Sequence, residues 1–207
     1  MATLASYDSL VNADASLIRS RFRTLAQLAE ERGDDPAVWQ SEIIAGRLPA
    51  ASYVLDGVGY FPPRLFDLVD DADGPDGLRR CFEERFVIAA DQTSALAGPD
   101  ELDEAWDEYL SGAWGRLLFD PTPESAVQAN RLAGSVAELL AGPAPDDPNW
   151  CRRLSARVDA LAVLLREGCA ADRANQEEHP WDAWVAAPRR EYAAAIARFQ
   201  QPPSGDD

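Results

Sequence analysis

The sequence predicts a mainly α protein: a helical, bundle-like body carrying a small N-terminal helix-turn-helix and β-hairpin head of winged-helix-like type. Three observations carry this. Apolar residues recur at helical spacing through most of the 207 residues. Capping residues followed by proline mark helix starts along the chain. An Asp56-Gly57 pair lies between two short apolar runs, which is a hairpin signature.

The elements follow in order. Asp14 is an N-cap for a helix expected to reach Gly33, with Leu17, Leu25, Leu28 and Ala29 on its apolar stripe. Asp35 caps a second helix, Pro36 takes its first position, and Val38, Ile43 and Ile44 face inward until Gly46. The hairpin spans Ala51 to Phe61 and is stopped by Pro62-Pro63. A short helix carries Leu65 to Val69, and a longer one from Pro75 to Ala90 buries Leu78, Cys81, Phe82, Phe86 and Val87. Gly98-Pro99 opens a helix with Leu102, Trp106, Tyr109 and Leu110 inward and acids in its first turn, the sign the helix dipole prefers there. Gly112 and Gly115 break it, and Leu117-Leu118-Phe119 reads equally as strand or buried coil. Thr122-Pro123 starts a helix to Leu140, Asp147-Pro148 one to about Gly168, and Pro188 one to Phe199. In this reading residues 1–62 are the head, 63–199 the body and 200–207 a disordered tail.

Charge excludes several functions. There are 36 acidic and 19 basic side chains, net −17, and every basic residue is arginine. Without lysine there is no Schiff-base chemistry and no Walker-type phosphate lysine. Residues 63–112 hold 4 arginines against 14 acids, a net of −10. An acidic chain is a poor ligand for nucleic acid or an anionic membrane, and a good one for a basic partner protein. The order of the head resembles the DNA-binding heads of MerR-like regulators, with Gly46-Arg47-Leu48-Pro49 as the turn beyond the second helix. Groove reading needs basic and amide side chains on that helix, which offers only Gln40, Ser41 and Glu42. A docking or scaffold role is expected of the head, and no nucleic-acid or membrane partner.

Cys81, Cys151 and Cys169 are odd in number and lack CxxC spacing, so neither a disulfide framework nor a zinc site is expected. Residues 1–14 lack the basic and apolar blocks of a signal peptide, and no apolar run has the length of a membrane span. A cytoplasmic location with reduced thiols is the expectation. The acidic run Asp67 to Asp76 fails the register of an EF-hand and of a prenyl-diphosphate box, and reads as a solvated helix end. His179, the one histidine, has no recognisable nucleophile partner and reads as a surface residue. No metal and no cofactor is expected.

The candidate binding segment is Tyr109-Leu110-Ser111-Gly112-Ala113-Trp114-Gly115-Arg116. Two glycines permit close backbone approach, and Tyr109, Ser111, Trp114 and Arg116 supply an aromatic wall, hydroxyls and an anion fork. Tyr60 of the hairpin is added as a candidate. A helix end packed by buried aromatics is the competing structural reading. Catalysis here would be metal-free acid–base chemistry by Tyr, Ser, Asp or Glu.

The run Leu48-Pro49 through Asp56-Gly57, then Tyr60-Phe61-Pro62, Leu68 to Ala72, Tyr109 to Gly112, Thr122-Pro123-Glu124, Trp150 and Val158 to Leu161 resembles a bacterial family catalogued as "natural product biosynthesis protein". The resemblance spans about residues 25–175. It implies a cytosolic protein encoded among secondary-metabolite genes and supplies no catalytic residues; the leading expectation is an accessory or tailoring protein of such a pathway that binds a small-molecule intermediate in a pocket near Tyr109 to Arg116. Members continue with Asp-Arg, then Arg-Phe-Gly and a Ser-Arg step. Here Asp172-Arg173 is followed by Ala174-Asn175, which implies a changed site or a different tail. A non-catalytic acidic interaction module is the alternative, and a transcription regulator with a degenerate head ranks third.

Overall fold

The computed structural model describes residues 14–93, 98–169, 172 and 179–200. It is mainly helical with one small antiparallel sheet. The expected tail from residue 201 and the stretch from Arg173 to Glu178, where the Arg-Phe-Gly comparison falls, lie outside the described residues.

The first expected helix is two. Helix α1 covers 14–21, β1 follows at Arg23–Thr24, and α2 spans Leu25–Arg32. The reason is non-local: Arg23 and Thr24 pair antiparallel with Phe61 and Tyr60. Thr24 then starts α2 with a capping box, its hydroxyl accepting from Gln27 N while Gln27 Oε1 accepts from Thr24 N. Helix α3, Pro36–Ile44, is capped by Asp35 as the sequence suggests. Strands β2, Tyr53–Leu55, and β3, Val58–Phe61, meet through Asp56 and Gly57, whose φ of 52° and 76° suit a type I′ turn. The sheet order is β1-β3-β2, and the head runs helix, strand, two helices and hairpin, the order the sequence predicts with β1 added.

Helix α4 is Asp67–Asp71, α5 Pro75–Gln92, α6 Pro99–Leu110 and α7 Ala113–Leu117. Helices α8, Pro123–Ala141, and α9, Pro148–Leu164, are capped by Thr122 and Asp147 and pack on each other. Helix α9 stops short of Gly168. Leu165 turns extended and bridges Leu118, Phe119 N donates to Leu164 O at 2.9 Å, and Arg166 N donates to Leu117 O at 2.7 Å. The Leu117–Phe119 run is thus chain that forms one bridge, with Leu118 buried and Phe119 exposed. The C-terminal part is a π-helical turn at Asp182–Ala186, then α10, Ala187–Glu191, and α11, Ala193–Gln200.

One apolar core runs through both ends of the chain. It joins Leu25, Leu28, Leu48 and Phe61 of the head to Phe82, Trp106, Val136, Leu154 and Leu161 of the body. Phe82 is fully buried, with Trp106, Tyr109 and Trp114 ring centroids 5.0, 5.3 and 5.4 Å away. The acids of the Asp67–Asp76 run serve ion pairs: Asp70 takes both forks of Arg32 at 2.7 and 2.8 Å, and Asp71 receives Arg85 at 2.6 Å. Arg32 also lies over the Phe66 and Trp39 rings. Among the described residues, no helix is long and apolar enough to cross a membrane.

Candidate functional site

Helix α6 ends at Leu110 because Gly112 turns left-handed, φ 79°. This bend brings the chain against the head. Ala50 N donates to Leu110 O at 2.7 Å, and Arg116 Nη1 to Ser52 O at 3.3 Å. A side chain at Gly112 would meet Ala50 O at 2.6 Å, and one at Gly115 would meet Pro62 Cγ at the same distance. The two glycines therefore do permit close approach, but to the protein's own loop. Beside them lies a cavity of about 20 Å³ bordered by Ser52, Pro62, Tyr109 and Trp114, room for about one water. Ser52 Oγ, buried there, has no partner among the described residues.

The five sequence candidates separate. Tyr109 and Trp114 come together, both buried, their centroids 5.7 Å apart. Burial pushes the Tyr109 phenol well above its usual range, so it remains protonated. Ser111 is exposed and serves the bend, its hydroxyl donating to Glu108 O and accepting from Ala113 N. Arg116 is spent on the Ser52 carbonyl. Tyr60 lies on β3 and packs against a second small cluster of Ile18, Phe22 and Cys169.

Trp114 also borders a large cleft that the sequence did not reveal. It lies between α5, α6 and α8 and measures about 580 Å³. Its apolar lining is Phe86, Ala90, Ala105, Trp114 and Val127; its polar lining includes Glu101, Glu104, Glu108, Asn130 and Arg131. The three glutamates fall at i, i+3 and i+7 of α6, one face of the helix. Trp114 Nε1 donates to Glu108 Oε2 at 3.0 Å, fixing the indole and one carboxylate together. A second cleft of about 150 Å³ shares Glu108, Trp114 and Asn130 with the first and continues to Leu161, Pro180 and Trp184. Glu101 and Glu104 were legible as helix-start acids, but only the packing of α5 and α8 gives them a cavity to face.

A polar link joins the head to the far end of the body. Tyr53 Oη donates to Asp172 Oδ2 at 2.8 Å, and the same oxygen accepts from Cys169 N at 2.9 Å. Burial first, then Asp172, raises the Tyr53 phenol, and burial raises the Cys169 thiol. Arg166, buried nearby, donates to Leu118 O and Phe119 O and lies over the Phe22 and Phe119 rings.

His179 is buried, not a surface residue: 2% exposed. Its ring lies where a Cβ on Gly168 would stand, 2.7 Å away, and Nδ1 accepts from Trp181 N at 3.2 Å. The imidazole fills the space against the glycine. Among the described residues, no three His, Cys, Asp or Glu side chains converge as a metal cage.

Helix α3, the second helix of the head, carries no basic residue, and Arg47 beyond it is held by Glu42 at 2.6 and 2.8 Å. Val38 and Ile44, expected to face inward, are 54% and 78% exposed on α3, beside exposed Gln40 and Ser41.

Comparison with known proteins gives one match. No curated protein and no solved structure matches the chain. A family model matches residues 76–193, from the start of α5 into α11, and so takes in every element around the cleft; the chain belongs to the family of unknown function DUF6058.

Proposed function

We propose that this is a small-molecule-binding accessory or tailoring protein of a bacterial natural-product pathway, and that its ligand occupies the cleft between α5, α6 and α8. The observation that carries the reading is the cleft itself. At about 580 Å³, with an aromatic and aliphatic floor and a few polar groups at the side, it has the size and lining of a ligand pocket. The pathway assignment rests on the sequence resemblance over about residues 25–175. Deleting the gene in its host and comparing metabolites by mass spectrometry tests it. Accumulation of one intermediate is expected; an unchanged profile overturns the biosynthetic role.

A second reading, a non-catalytic interaction module, is favoured by the exposed apolar residues of α3 together with exposed Val54 and Val58 on the hairpin. The acidic 63–112 stretch would meet a basic partner domain, and salt-sensitive binding to such a domain is its test.

A further inference from the structure

The two clefts that share Glu108, Trp114 and Asn130 form a groove whose ends differ in chemistry. One end carries Glu101, Glu104 and Glu108 beside the Trp114 indole. The other is lined by leucines, alanines and Trp184. Arg131 is the one basic residue among the described lining of either cleft, against three carboxylates. The groove makes the site, and the carboxylates set its sign.

Resting on the cleft reading above, we propose that the ligand is an organic cation: a protonated amine seated among Glu101, Glu104 and Glu108, with an apolar body passing over Trp114 toward Trp184. Each part has a physical reason. A primary amine stays charged at neutral pH and is attracted by the carboxylates. Trp114 holds one Glu108 oxygen, which leaves the other to accept from the ammonium. An anion of the same shape would meet three like charges for one guanidinium. A neutral ligand would gain the apolar surface alone.

The test uses the whole chain and three probes of one shape: 4-phenylbutylamine, 4-phenylbutanol and 4-phenylbutyrate, titrated by calorimetry and by tryptophan fluorescence. The amine is expected to bind about tenfold more tightly than the alcohol, and the carboxylate most weakly. That preference should shrink as salt is raised. Glu104→Gln, whose carboxylate makes no bond described above, should cost the amine about threefold and leave the alcohol unchanged. The Glu101→Gln/Glu104→Gln/Glu108→Gln variant should bring amine and alcohol together, with circular dichroism reporting whether it folds. Equal binding of alcohol and amine, or tightest binding of the carboxylate, overturns the cation assignment and leaves the cleft reading standing. Failure of all three probes to bind overturns both.

Discussion

Replacing Gly112 with alanine probes the contact on which the Trp114 wall depends. Two costs add. An L-residue forced to a φ of 79° pays about 1–2 kcal/mol. The new Cβ would stand 2.6 Å from Ala50 O and 3.0 Å from Ala51 O. Unstrained contacts lie near about 3.5 Å, so the loop must retreat by about 0.9 Å, and overpacking of this kind costs about 1–3 kcal/mol. The obstacle is backbone, which no side-chain rotation relieves. The expected loss is about 2–5 kcal/mol, a melting temperature lower by roughly 4–20 °C for a chain of this size. Gly46→Ala is the internal control: its φ of 69° imposes the same conformational cost, yet nothing lies within 4 Å of its Cβ. Thermal and urea unfolding of both variants isolates the close approach as their difference. Equal melting of Gly112→Ala and Gly46→Ala would refute the argument that the head loop seats against this glycine.

Three further outcomes are expected. Phe82→Ala, which empties the centre of the aromatic cluster, should destabilise by about 3–5 kcal/mol in urea unfolding. The fold holds the Tyr53 and Tyr109 phenols neutral, so their contribution is intact below the unfolded phenol's pKa of about 10 and is lost as pH rises above it; the part of the tyrosinate absorbance that belongs to these two should rise with unfolding rather than before it, and Tyr53→Phe should flatten the alkaline loss of stability. Duplex DNA at physiological salt should show no measurable affinity by fluorescence anisotropy, since α3 carries no basic residue and Glu42 holds Arg47.

What could be read in the sequence was local. Asp35-Pro36, Thr122-Pro123 and Asp147-Pro148 mark helix starts correctly because cap and helix lie within four residues of each other. The Asp56-Gly57 turn is local in the same way. The misreadings came from distant partners. Phe22 to Thr24 look helical until β3, more than thirty residues on, supplies a strand to pair with. Leu165 and Arg166 would extend α9, but the chain at 117–119 takes the Leu164 carbonyl and the Arg166 N–H. His179 looked exposed because its neighbours in sequence are polar, whereas the glycine that makes room for it is Gly168. At the candidate site, Trp114 was legible as an aromatic between glycines, but the cleft it borders depends on Phe86 and Val127 from two other helices. Alternation and spacing along one segment carry no record of such meetings.

The π turn at Asp182–Ala186 bears on how the groove could arise. Ala187 N bonds to Asp182 O, five residues back, where an α-helix would reach four. The turn therefore has the form of an ordinary helix that has absorbed one additional residue. Each residue of an α-helix turns the chain by about 100°. Deleting one residue here would restore the regular ladder and swing the preceding segment by that angle relative to buried Pro188. Val185, now fully buried, and Trp184, now on the groove, would no longer keep those two positions together. The aromatic wall at this end is thus tied to chain length as much as to side-chain type, and a relative one codon shorter would lose it in a single evolutionary step, with every other groove residue unchanged.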